Sequence, residues 1–164
     1  MTYLITFSCY GCHLHGDERG SVDPNHNHYS NPIIEPDAAF RRRELEDLTE
    51  PPYHLEAPQR DIVLRSLQEV CTNHRWWPLA AHVRSTHVHI VVDAERVPEF
   101  VMNALKSRAS RLLNQSGLEP QRRKRWARHG STRWLYKPES VDRAVKYVLD
   151  EQGERMSVYE EPPR

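Results

Sequence analysis

His87 and His89 stand two residues apart in the run Thr86-His87-Val88-His89-Ile90-Val91-Val92. The run is rich in β-branched residues, alternates polar with apolar and ends at Asp93, so it reads as a half-buried β-strand. Side chains two apart on a strand share a face, which sends both imidazoles one way and Val88, Ile90 and Val92 the other. Two imidazoles about 7 Å apart at the backbone can converge on one divalent cation. The plainer alternative is a polar, solvated strand face. A metal held by two histidines suits phosphoryl chemistry, because it polarises the scissile phosphate and orients its oxygens.

An attacking group is then needed. Of seven tyrosines, Tyr147 stands out on the last predicted helix, near Lys146 and Glu151. A tyrosine that attacks DNA leaves a covalent phosphotyrosine, which preserves the bond energy for rejoining. Glu151 is one turn on and shares the face of Tyr147, so both can approach one metal site. Gln152 lies about 140° round an ideal helix and swings in only if the helix ends there. A tyrosine half-buried in a helix interface is the competing reading. Tyr136 is a reserve nucleophile, with Pro138 close behind it, on a loop or strand end.

The elements that must position these residues follow from periodicity. Thr2 to His13 is a first strand, ending at a turn around His15-Gly16-Asp17. Residues 16 to 58 are polar and punctuated by Pro24, Pro32, Pro36, Pro51, Pro52 and Pro58. They read as a long irregular insertion with one helical turn near Ala38–Leu48. Pro58 opens a helix to His74, with Ile62, Val63, Leu64, Leu67, Val70 and Cys71 as its apolar stripe. Trp76 to Val83 is a second strand, joined by Arg84-Ser85 to the His87 strand as an antiparallel hairpin. Pro98 starts a helix to about Gln115, Gly130 to Leu135 is a short strand, and Glu139 to Glu151 is a last helix with Gly153 as its C-cap. The order predicts an α+β fold: a ferredoxin-like β-α-β-β-α-β sandwich with an added C-terminal helix carrying the tyrosine. One domain spans 1–164, with an acidic tail over 154–164.

Charge points to a partner. The net charge is zero, but Arg96 to Lys137 holds eleven Lys or Arg against two acids, leaving twelve bases and twenty-one acids elsewhere. Such a local surplus is the footprint expected for a polyanion, although a solvated helix face would also be basic. Lys106, Arg108 and Arg111 form the basic side of one helix. Arg122, Arg123, Lys124, Arg125 and Arg128 surround Trp126, which suits phosphate contact with base stacking on single-stranded DNA. Replacing Arg122, Arg123 and Arg125 is expected to flatten the slope of log affinity against log salt by about 2–3. No apolar run is long enough to span a membrane, and the N-terminus lacks a signal-peptide pattern. Three cysteines make no even disulfide framework, which fits a reducing cytoplasm. The expected location is cytoplasmic, on the nucleoid when DNA is bound.

Together these residues resemble a known family. His87-Val88-His89 within a hydrophobic strand matches the HUH motif of single-strand nucleases, and Tyr147 matches the lone nucleophile of the Y1 class. Leu105-Lys106-Ser107, His129-Gly130-Ser131-Thr132-Arg133-Trp134 and Tyr147-Val148-Leu149-Asp150-Glu151-Gln152-Gly153 extend the match, and Gly16 to Asp23 is similar to a subgroup's first loop. The chain resembles the IS200-like transposases, including the REP-associated tyrosine transposases, over nearly its whole length outside residues 24–55. The resemblance implies a homodimer that cleaves and joins single-stranded DNA beside hairpins through a 5′-phosphotyrosine, with Mg²⁺ or Mn²⁺ as cofactor. It makes His87 and His89 metal ligands and Tyr147 the nucleophile. The family commonly has Gln or Asn four residues after the tyrosine; here Glu151 stands there and Gln152 follows, so either is the third ligand. A carboxylate serves a hard cation well.

Three rival readings remain. His13-Leu14-His15 is a second histidine pair, but it runs into Gly16 and lacks a rigid strand to hold it. Cys9 and Cys12 with His26 and His28 make half a zinc pattern, with histidine spacing outside the usual range. A DNA-hairpin-binding relative that has lost cleavage would keep everything except the action of Tyr147 and the ligands.

Overall fold

The computed structural model describes residues 1–12, 38–120 and 122–163. The histidines at 13, 15, 26 and 28, and the 16–23 segment, lie outside the described residues. Nine elements follow in order: β1 (Thr2–Cys9), α1 (Ala38–Glu46), α2 (Ala57–His74), β2 (Trp77–Val83), β3 (His87–Asp93), α3 (Pro98–Ser116), β4 (Trp126–Leu135), α4 (Pro138–Asp150) and β5 (Ser157–Glu160). Prolines at 58, 98 and 138 sit in the first turns of α2, α3 and α4, where a missing N–H costs nothing. Helix α3 stops at Gly117, whose φ of 72° suits a residue without Cβ.

The strands form one antiparallel sheet in the order β4-β1-β3-β2-β5. Strands β1 to β4 with α2 and α3 are the ferredoxin-like arrangement expected from the sequence. Side-chain alternation divides the sheet into two faces. Tyr3, Ile5, Phe7, Ala81, Val83, Val88, Ile90 and Val92 meet Val63, Leu67 and Val70 of α2 and Val101, Leu105, Ala109 and Leu113 of α3 in the main core. On the opposite face Leu4, Ala80 and Val91 take Ala144, Val148 and Leu149 of α4 in a smaller cluster. The alternation of β3 therefore places a core on one side of the strand and chemistry on the other.

Four departures from the sequence reading exceed a single residue, the other element ends agreeing to within one. β1 ends at Cys9 rather than His13, and α1 is a nine-residue helix rather than one turn. β4 begins at Trp126, four residues before Gly130, because the sheet edge accommodates Arg128 and His129 as exposed side chains. Residues 157–160, read as acidic tail, pair with β2 from Val83↔Ser157 to Ala80↔Glu160. That pairing covers the edge of β2 and turns a four-residue segment into a strand. Among the described residues no helix is long and apolar enough to cross a membrane.

Candidate active site

The sheet register builds the site as a polar row beneath α4. Thr6 of β1 pairs with Ser131 of β4 on one side and His89 of β3 on the other, and His89 pairs with His82 of β2. Ser8 and His87 form the next row towards the end of the sheet. The His87 and His89 rings lie 4.7 Å apart and nearly perpendicular. Helix α4 is anchored over the adjacent apolar row, which brings Tyr147 to the histidines. Its ring meets that of His89 edge-on at 5.5 Å and stays 40% exposed, open to an incoming substrate.

His89 is held at both nitrogens. Nδ1 lies 2.7 Å from the Thr6 hydroxyl, and Nε2 lies 3.0 Å from Gln152 Oε1. Burial, with the charge of His87 second, pushes its pKa down to about 3, so the ring is neutral and carries a single proton. The Thr6 hydroxyl can donate or accept, so it suits either tautomer. Because the Gln152 oxygen only accepts, Nε2–H is the donor in this geometry and the Thr6 hydroxyl donates to Nδ1. With the proton moved to Nδ1 and given to Thr6, Nε2 would offer its lone pair to a cation.

The end of α4 decides which residue joins the histidines. The helix stops at Asp150, and the exposed Glu151 leaves helical geometry while its N–H still donates to the Tyr147 carbonyl. This break brings Gln152 back: its amide Nε2 donates to the same Tyr147 carbonyl at 3.1 Å while Oε1 faces His89. The 3.0 Å between Gln152 Oε1 and His89 Nε2 is a hydrogen bond, and it sets an amide oxygen beside the ring nitrogen that could face a cation. Imidazole nitrogens with an amide oxygen fit Mn²⁺ or Mg²⁺ in donor type. Among the described residues no cluster of three or more His, Cys, Asp or Glu side chains forms, and the oxygen placed against His89 is that of the Gln152 amide.

His82 escaped notice in the sequence. It is fully buried, and both of its nitrogens serve the main chain. Nδ1–H donates to the Val148 carbonyl at 3.0 Å, and Nε2 accepts the Met156 N–H at 2.9 Å. Burial lowers its pKa and keeps the ring neutral. The ring thus ties the last turn of α4, next to Tyr147, and the approach to β5 onto the sheet. The signal available was a lone histidine in the apolar run Trp77-Pro78-Leu79-Ala80-Ala81-His82-Val83; likewise, Thr6 and Ser8 are the polar alternates of β1.

The basic residues divide sharply. Lys106 is only 8% exposed and donates to the Ala127 and His129 carbonyls, stapling α3 to β4; burial pulls its pKa down to about 8. Arg125 is buried against Glu119 at 2.8 Å and Asn114 at 2.7 Å. Arg108 pairs with Glu69 at 2.9 Å. Arg123 reaches the Pro51 carbonyl and covers the Tyr53 ring, and Lys124 holds Thr49 and Glu50. Arg111, Arg122, Lys124 and Arg128 are exposed. Arg111 lines a shallow cleft of about 440 Å³ with Ser107, Ser110, Asn114 and Trp126. Arg123 and Lys124 therefore fasten the 49–53 segment, while Lys106, Arg108 and Arg125 tie α3 and its C-terminal end to β4 and α2. Cys9 is a core residue whose thiol pKa burial raises, and Cys12 lies 2.8 Å from the Tyr53 carbonyl.

Tyr136, the reserve nucleophile, lies beyond β4 and stacks on Trp134, 6.0 Å between centroids. No described contact brings it to the histidines.

Comparisons with known proteins bear on the fold and the family. No curated protein matches the chain. Among solved structures it is similar to a REP-associated tyrosine transposase bound to a REP hairpin, with a TM-score of 0.51 and 10% identity over 92% of this chain. The chain spans 65% of that protein's length. At such low identity the likeness carries the fold. The sequence pattern described as Transposase IS200 like matches residues 54–148, more than half the chain, a span that includes His87, His89 and Tyr147. The chain belongs to the IS200-like transposase family.

Proposed function

We propose that this chain cleaves and rejoins single-stranded DNA beside hairpins through a 5′-phosphotyrosine on Tyr147. The observation that carries the reading is the meeting of Tyr147 and His89 within one chain, bridged by Gln152. The Tyr147 hydroxyl attacks phosphorus and loses its proton, the bond from phosphorus to the departing 3′ oxygen breaks, and that oxygen leaves as a hydroxyl. Attack by a 3′-hydroxyl on the phosphotyrosine reverses the exchange and restores both the phosphodiester and the phenol. His87, His89 and Gln152 hold Mg²⁺ or Mn²⁺, with Glu151 as the alternative to the amide. When bound, the ion polarises the scissile phosphate and offsets its charge. Thr6 orients the His89 ring, and the break after Asp150 lets Gln152 reach it.

A hairpin-bearing DNA is the substrate that the solved relative suggests, since that relative is bound to a REP hairpin. Exposed Arg111, Arg122, Lys124 and Arg128 contact its phosphates, with Arg123 behind them. Within this chain α4 docks on its own sheet with Tyr147 against His89, and the homodimer that the family implies is part of the same proposal.

The test is incubation with end-labelled single-stranded hairpin DNAs and Mn²⁺, read on a denaturing gel. A covalent band is expected from the wild type and from Tyr136→Phe, and none from Tyr147→Phe or with chelator. Tight hairpin binding without a band, across hairpins of varied sequence, would instead support the cleavage-inactive binder.

A further inference from the structure

Two aromatic rings stand side by side on the surface where β4 leads into α4. Trp134 is 41% exposed and Tyr136 is 76% exposed, and their rings are stacked within 12° of parallel. Trp134 is backed by the buried Tyr3, which meets it edge-on at 4.9 Å and is itself fixed by a hydrogen bond from its hydroxyl to the Arg96 carbonyl. The pair is thus a rigid step rising from the core, and its outer face is left to solvent. Arg133 and Lys137 flank it in the alternation Arg133-Trp134-Leu135-Tyr136-Lys137. Both are exposed, and neither forms an ion pair among the described residues. Of the acids near by, Asp93 meets the N-terminal ammonium at 3.0 Å and Glu99 meets Thr132 at 3.5 Å, while Glu139 stands exposed in the first turn of α4.

Exposed, preorganised aromatic faces beside unpaired cations are what an unpaired nucleic-acid base and its phosphates recognise. A second protein would favour a broader apolar patch with fewer charges at its centre. Position agrees. The rings sit at the β4 edge on the α2–α3 face, and Arg133 and Leu135 alternate onto the face of His89 and α4. Helix α4 with Tyr147 begins directly after the step, so a strand passing round this edge meets both faces.

We propose that Trp134 and Tyr136 form a base-stacking platform for single-stranded DNA at the β4 edge, with Arg133 and Lys137 taking the adjoining phosphates. The proposal deepens the functional reading above and rests on it for the identity of the strand. Because every base has a stacking face, the platform holds the strand without reading its sequence.

The experiment compares binding of a fluorescent oligo(dT) strand with that of an abasic strand of equal length, by anisotropy. The proteins are the wild type, Trp134→Ala, Tyr136→Ala, Tyr136→Phe and Tyr147→Phe, with thermal melting as the folding control. The wild type should prefer the base-bearing strand, and each alanine variant should bind it about tenfold more weakly. Tyr136→Phe keeps the ring face and should restore binding; Tyr147→Phe should bind like the wild type. The salt slope should be unchanged in the alanine variants and reduced by about one in Lys137→Ala. Equal wild-type affinity for the two strands, or alanine variants that bind like the wild type, would overturn the platform. So would single-strand capture that survives only as protein dimerisation. Stacking without any covalent adduct in the cleavage assay would leave the platform standing and remove the nuclease reading. An adduct formed equally well by the alanine variants, with unchanged strand affinity, would do the reverse.

Discussion

A buried histidine keeps its lone pair only if its proton has a fixed destination. At His89 Nε2–H donates to the Gln152 oxygen, and when Nε2 turns its lone pair to a cation the proton's place is Nδ1, 2.7 Å from the Thr6 hydroxyl. Thr6→Val keeps the shape and removes the partner, so Mn²⁺ affinity measured by calorimetry should fall about 10- to 100-fold while the fold persists. Gln152→Ala should weaken Mn²⁺ binding, and Glu151→Ala should leave it near the wild-type value; the opposite order would make Glu151 the ligand. The same burial sets a pH dependence. His82 and His89 have folded pKa values below the ordinary 6.5, to about 3 for His89, so below that pH the unfolded chain binds more protons than the fold. Metal-free stability should therefore fall as pH drops through 6.5 and on towards 3. The limiting slope is about 1.4 kcal/mol per pH unit for each histidine. Urea midpoints across pH 7.5 to 4.5 check this, and His89→Asn should flatten the slope by about one proton's worth; an unchanged slope would refute the assignment.

Elements, rather than single contacts, hold Tyr147 in place. Helix α4 has an apolar face only about one row of the sheet wide, and His82 and β5 secure its far end from below and behind. Replacing residues 157–160 by glycine should raise hydrogen exchange in the last turn of α4 while leaving α2 and α3 protected. At the other edge, β4 approaches β1 and α3 so closely at Gly130 that a Cβ there would sit 2.6 Å from the Thr6 carbonyl and 2.5 Å from the Met102 sulfur. The methionine tip can move, but the backbone carbonyl cannot. Gly130→Ala should cost about 1–3 kcal/mol, read as a lowered melting temperature, and should disturb Thr6 beneath His89. The extent of β4 and the existence of β5 were hidden for a shared reason. Trp126 to His129 has no apolar alternation and Ser157 to Glu160 is only four residues long, so each becomes a strand through its neighbour's hydrogen bonds rather than its own composition.

Across the whole molecule, charge is used twice, once inside and once outside. Arg125 is buried and Arg123 is bound to the 49–53 segment, so the triple replacement of Arg122, Arg123 and Arg125 should change the salt slope by about one rather than the 2–3 expected from counting charges. It should also lower stability, because Glu119 and Asn114 lose the buried guanidinium that they hold. Arg111→Ala with Arg128→Ala should flatten the slope by about two with little change in melting temperature. A slope that still falls by 2–3 on the triple replacement would mean the 122–125 segment detaches to meet DNA. What the sequence by itself determined is the strand that carries His87 and His89, the helices opened by Pro58 and Pro98, the last helix with Tyr147 and the ferredoxin-like order, because alternation and helical periodicity are local properties of the chain. Tertiary structure alone decided that Gln152 rather than Glu151 reaches His89, that His82 and Thr6 brace the site, and that Lys106 and Arg125 are internal. Each depends on where a helix ends or what lies across a sheet, distances between residues far apart in the chain that no local pattern encodes.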